Sequence, residues 1–126
     1  MSERVPMLSV EDAVNAAKAV GIREHMAGLS VYRILLRHPA LATAVNHQLT
    51  TLLFTGNKLD ARLRELLIMR IGWVTGANYE WTQHWHFAMR INIPPEDILA
   101  VRDWRSSDRL SAADRAVLAA VDDTLE

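Results

Sequence analysis

The residues with chemical potential concentrate in one stretch, Gly76-Ala-Asn-Tyr-Glu-Trp-Thr-Gln-His-Trp-His-Phe-Ala-Met-Arg90, which sets Glu80 four residues before His84. At about 100° per residue a helix brings these side chains one turn apart on the same side. A carboxylate beside an imidazole is minimal equipment for moving a proton, because the carboxylate can orient the ring and select its tautomer. Helical projection puts Trp81, Trp85, Ala88 and Met89 on an apolar face and Thr82, Gln83, His86 and Arg90 on the opposite polar arc. Glu80 and His84 fall on the flank of the apolar arc, in line with Phe87 and Ile91, so the pair is aimed into or beside the core. Burying a carboxylate is costly unless it is paired. Spacing alone is also met by a plainer role, a satisfied polar contact between helices with no catalytic duty.

Other chemistry has weaker support. His84 and His86 stand two positions apart and project to different faces of a helix, so they do not make a metal pair. Glu80 and His84 offer two ligands, but no second histidine or carboxylate motif has metal spacing, and no metal or other cofactor is expected. The four tryptophans fit core and interface packing. His25, His38 and His47 have no evident partner and are assigned surface or structural roles.

Composition narrows the field further. The chain has no cysteine, which removes disulfides, thiolate zinc sites, thiol nucleophiles and dithiol redox pairs. Fourteen basic and fifteen acidic residues leave a net charge of -1, so no field of one sign points to nucleic acid or an anionic membrane. With 126 residues, half of them hydrophobic, one folded domain with a real core is expected. Met1 to Val10 lacks the long apolar run of a secretory signal, which makes the cytoplasm the expected location. The most apolar stretch, Leu66 to Val74, is interrupted by Arg70 and falls short of the roughly 20 residues that span a bilayer.

The elements that must carry these residues read as helices, and no stretch reads as a strand; the expected class is all-α. Ser9 with Asp12 opens a helix that Gly21 can close, and a short piece from about Ser30 runs into His38-Pro39. The helix after Pro39 carries Leu41, Val45, Leu49, Leu52 and Phe54 at near-helical spacing until Gly56. Asp60 is an N-cap for a helix that is apolar nearly all round after its first turn and so belongs in the middle of the fold. Thr75-Gly76 interrupts it, the His84 helix follows to Ile91, and Pro95 starts a short helix. Ser111 with Asp114 opens the last, with Ala113, Val117, Ala120 and Val121 along one side.

In register, Leu59-Asp-Ala-Arg-Leu-Arg-Glu-Leu-Leu-Ile-Met-Arg-Ile-Gly-Trp-Val-Thr-Gly-Ala-Asn-Tyr-Glu-Trp-Thr-Gln-His84 resembles the carboxymuconolactone decarboxylase family, which has the alkylhydroperoxidase D-like fold. The resemblance covers residues from about 38 to 102 well and the N-terminal part loosely. It implies an all-helical subunit that forms homo-oligomers, trimers or hexamers, with the active site near a subunit contact. Many relatives of this subtype continue with a further helical segment. The pattern still running at Glu126 therefore fits either a covering partner subunit or a missing segment.

In the family's peroxidase branch a carboxylate on the preceding helix joins a Cys-x-x-Cys-x-x-x-His motif. By register Glu65 matches that carboxylate and His84 the histidine, while Ala77 and Glu80 stand where the two cysteines would be. Without thiols, peroxide reduction and disulfide exchange are excluded. The resemblance leaves an acid/base site of Glu65, Glu80 and His84. A decarboxylase of the namesake type needs no cofactor, because the electrons left by carbon dioxide delocalise into the unsaturated lactone and the enzyme supplies a proton. His84 is the expected acid, oriented by Glu80 and Glu65, with Tyr79, Trp81 and Trp85 shaping a substrate pocket. Arg62, Arg64 and Arg70 are candidates to hold a substrate carboxylate, or else salt-bridging groups on helix surfaces. The expected function is acid/base chemistry on a small carboxylated lactone or related organic acid. The alternative is a catalytically silent helical oligomer, acting as a subunit or interaction module.

Overall fold

The computed structural model describes residues 4–126. They form α1 (Val10–Ala19), α2 (Glu24–Ala27), α3 (Ser30–Leu35), α4 (Pro39–Thr50), α5 (Ala61–Thr75), α6 (Asn78–Arg90), α7 (Pro95–Ala100) and α8 (Ala112–Leu125). A π-helical turn, Thr51–Thr55, extends α4, and a 3₁₀ turn, Val101–Asp103, follows α7. Among the described residues there is no strand, and no helix is long and apolar enough to cross a membrane.

Local chemistry explains the boundaries. Ser9 Oγ accepts the Asp12 amide at 3.0 Å, Asp60 accepts the amides of Arg62 and Leu63, and Ser111 with Asp114 completes a capping box. His38 gains a structural role: it caps α4, its Nδ1 accepting the Leu41 amide at 3.2 Å ahead of Pro39. The single-turn α2 and the π-helical turn, in which the Gly56 amide reaches the Thr51 carbonyl at 2.8 Å, have no counterpart in the sequence expectation. At the end of α5, Gly76 takes φ 66°, a left-handed conformation that suits glycine, and the Ala77 amide turns back to the Gly72 carbonyl at 2.9 Å. That reversal brings α6 onto α5.

The contacts group the chain into two compact units, divided after Asn57. In the first, Ala13, Ala17, Ile22, Ala27, Tyr32, Leu36 and Ala42 make the core. Its large polar member is Tyr32, whose hydroxyl donates to Asn46 Oδ1 at 2.8 Å while burial pushes the phenol's pKa up. α4 turns Ala42 inward, and the expected apolar stripe of Leu41, Val45, Leu49, Leu52 and Phe54 is not its buried face; Leu41, Leu52 and Phe54 are exposed. The reason is rotation: the helix meets its neighbours through Ala42 and Asn46, one turn apart, and the leucines lie round the side.

The second unit, Lys58–Glu126, is built around α5, which packs against α6, α8 and the 3₁₀ turn. Its core joins Leu66 and Met69 of α5 with Ala88, Ile93, Ile98, Val101, Trp104, Leu110 and Leu118. The central place of α5 in this unit agrees with its composition, although Ile71, Trp73 and Val74 near its end are exposed. α8 buries Asp114, Leu118 and Val121, so the expected face through Ala113 and Ala120 is corrected: both of those alanines are exposed.

Candidate functional site

The Gly76 reversal lets one side chain from α5 meet one from α6. Glu65, in the first half of α5 among Leu66 and Met69, is only 1% exposed. Its Oε2 lies 2.7 Å from His84 Nδ1, and its Oε1 accepts a hydrogen bond from Arg64 Nε at 3.0 Å. Both carboxylate oxygens are therefore satisfied in a place where an unpaired charge would cost several kcal/mol, about 3–5 when one partner is removed. On the other edge of the imidazole, His84 Nε2 is 3.7 Å from Glu80 Oε2.

These distances assign atoms to tasks. An ionised carboxylate only accepts, so with Glu65 ionised the His84 nitrogen facing it carries a hydrogen. In the neutral ring Nε2 is then a free lone pair, and in the protonated ring it is a donor. Nε2 is thus the atom that can exchange a proton with a neighbour.

Of the two positions open to the Glu80–His84 pair, into or beside the core, Glu80 takes the second. The buried carboxylate on His84 is Glu65; the Glu80 side chain is 53% exposed against 18% for His84, because it stands in the first turn of α6 at the rim of the helix contact. Glu65, Glu80 and His84 are nonetheless brought together around one ring. Residue spacing within α6 could not find Glu65, nineteen positions away on another helix. The signal available was the one acid of α5, set beside its apolar run, together with the family register.

The aromatic candidates divide. Trp81 and Trp85 are half-buried against the core of this unit, their ring centroids 6.4 Å apart, with Trp73 5.7 Å from Trp81. Tyr79 is exposed, and the helical projection sets it well away from the His84 arc. Phe87 lies against His84, with centroids 6.5 Å apart, and the Arg64 guanidinium is 5.5 Å from the centre of the same ring.

The three arginines also separate. Arg62 grips Asp114 through Nε and Nη2 at 3.1 and 2.9 Å and reaches Asp97 at 2.9 Å; the Asp114 hydrogen bond, against the cost of burial, raises its pKa further. Burial alone would raise the Asp114 pKa, but the bonds from Arg62 and Ser111 outweigh it and hold this carboxyl below its usual range. Arg70 holds Asp122 at 2.7 and 3.1 Å and donates to the carbonyls of Val101 and Arg102. The Arg70 bonds, against desolvation and aided by Trp104 and Arg105, bring the Asp122 pKa to about 2. Arg62 and Arg70 are thus tied into the framework, and Arg64 is the one of the three beside His84.

Among the described residues, no group of three or more His, Asp or Glu side chains converges as a metal site would. An apolar groove of about 250 Å³ opens between α5 and α8, lined by Leu67, Ile71, Ala120, Val121, Thr124 and Leu125, none of which belongs to the acid/base group.

Fold and site together define an all-helical protein with a buried carboxylate bonded to a histidine across two successive helices, and with no thiol. The model of the carboxymuconolactone decarboxylase family matches residues 39–123, and the chain belongs to that family, with its alkylhydroperoxidase D-like fold. This match extends past residue 102 and through most of α8. No curated protein and no solved structure matches the chain significantly.

Proposed function

We propose that the protein is a cofactor-independent acid/base enzyme that decarboxylates, or transfers a proton to or from, a small carboxylated lactone or related organic acid. The observation that carries this reading is the 2.7 Å contact between buried Glu65 and His84 Nδ1, which leaves Nε2 as the working atom. In the namesake type of reaction the bond between the ring carbon and the carboxylate carbon breaks. Its electron pair passes into the conjugated lactone, carbon dioxide leaves, and the protonated His84 ring delivers its Nε2 proton to the carbanion-like carbon, becoming the neutral Nδ1–H ring. Solvent then reprotonates His84, with half-exposed Glu80 at the edge where the ring meets water. Trp81 and Trp85, half-buried on the helix of His84, shape the pocket, and Tyr79, exposed and turned away from the His84 arc, does not. The chemistry is that of a cytoplasmic homo-oligomer, trimeric or hexameric, taking a small organic acid as substrate.

The deciding experiment is carbon dioxide release from carboxymuconolactone by the wild type and by His84→Ala, with oligomeric state measured for both. Turnover lost in a folded variant is the expected result, by about 100-fold or more if His84 is the general acid. No release by the wild type would remove the namesake substrate. A second reading, a silent oligomeric module, draws support from the exposed apolar side chains Leu41, Leu52 and Phe54 on and after α4. A closed ring of identical mass for wild type and His84→Ala, inactive on a panel of lactone acids, is what that reading predicts.

A further inference from the structure

We propose that Arg64 is the positioning residue of the His84 site: by holding one oxygen of Glu65 it fixes the direction of the carboxylate toward the imidazole and so holds His84 as the Nδ1–H tautomer. This rests on the acid/base reading above, since it concerns how the proposed acid is held ready. Adjacent positions on a helix project about 100° apart, so neighbours do not ordinarily face one another. The Arg64 side chain nevertheless bends to donate from Nε to Glu65 Oε1 at 3.0 Å, and it is only 11% exposed where an arginine of this reach could extend into water.

One contact that holds it there comes from α6. The guanidinium lies 5.5 Å from the centroid of Phe87, within the range of a cation–π contact, and Phe87 is three residues beyond His84 on the same helix. Arg64 therefore touches the helix that carries His84 and acts on the carboxylate that orients His84. Either oxygen of the Glu65 carboxylate could accept from Nδ1, but a carboxylate anchored at one end cannot swing away from the ring. With Oε1 occupied by Arg64, Oε2 is left on the line to Nδ1. The ring hydrogen is then directed to Nδ1 and Nε2 is presented outward, which is the arrangement proton transfer at Nε2 needs. Arg64 touches no reacting atom in this scheme, and it is withdrawn from the set of arginines offered to a substrate carboxylate.

The test reads the tautomer directly and does not depend on knowing the substrate. Nitrogen-15 NMR of histidine-labelled protein, with His84 assigned by its loss in His84→Gln, distinguishes Nδ1–H from Nε2–H in the neutral ring. The wild type is expected to show Nδ1–H. Arg64→Gln is expected to lose that signature in favour of Nε2–H or a mixture, and Phe87→Leu to weaken it. Arg64→Lys keeps the charge but lacks the planar fork and the Nε–H, so it should restore the signature only in part; it also serves if Arg64→Gln fails to fold. An unchanged Nδ1–H spectrum in a folded Arg64→Gln or Arg64→Lys protein overturns the proposal. An inactive wild type with the expected tautomer pattern would instead count against the decarboxylase reading and leave the positioning role standing.

Discussion

The two compact units are held by different means. The first, ending at Asn57, has a core of alanines, Ile22, Leu36 and Tyr32, with the Tyr32–Asn46 hydrogen bond at its edge. The second buries three carboxylates, Glu65, Asp97 and Asp114, each held by arginine or histidine. Apolar packing is tolerant of small rotations, because the burial of surface has no direction. A buried ion pair is not tolerant, because an imperfect geometry leaves a desolvated charge. Carboxylates are thus retained in the unit where side chains from different helices must be held in fixed relation, and the site sits among them.

That contrast can be broken most forcefully at Glu65. Glu65→Ala leaves His84 and Arg64 facing an empty place, and a loss of about 3–5 kcal/mol is expected. All four tryptophans, Trp73, Trp81, Trp85 and Trp104, lie in the second unit, so urea unfolding followed by tryptophan fluorescence reports on this unit, with circular dichroism following both. A cost under about 1 kcal/mol, the size of one ordinary hydrogen bond, would show that the carboxylate is not a constraint of this kind.

Acid sharpens the contrast at Asp122. Its folded-state pKa is lowered from 3.8 to about 2, so its contribution is complete above about 3.8 and is lost as the pH falls toward 2. The depressed Asp114 acts in the same direction. The tryptophan-monitored transition should weaken over this window. The penalty of Asp122→Asn should be greatest at neutral pH and vanish near pH 2; a penalty independent of pH would contradict the ion-pair account.

The smallest effect is expected in the first unit. Tyr32→Phe keeps the ring in the core and removes the hydroxyl bonded to half-buried Asn46, at a cost of about 1 kcal/mol. Circular dichroism in urea measures it. A loss as large as that of Glu65→Ala would erase the distinction between the units.

Much of the molecule was legible in its residues. Caps and breaks are local interactions within three or four positions, so Ser9, Asp60, Gly76, Pro95 and Ser111 announce their helices without help from the rest of the fold. The absence of cysteine settled the thiol question by chemistry alone. The pairing of Glu65 with His84 was accessible only through the family register, since the two residues share no local pattern.

What the tertiary structure decided is which way each helix is turned and which charges meet. α4 carries an apolar stripe yet buries Ala42, and α8 buries Leu118 and Asp114 in place of two of its alanines, because rotation is set by the neighbours a helix finds. Arg62, Arg64 and Arg70 look alike in sequence, but Asp97 and Asp114 claim the first, Asp122 the last, and Glu65 with Phe87 the one between. Composition and local spacing could determine the helices and exclude thiol chemistry, because those follow from nearest neighbours and from atoms present or absent. The line from Arg64 through Glu65 to His84 needed the fold, because its members come from two helices and their relation exists only once those helices pack.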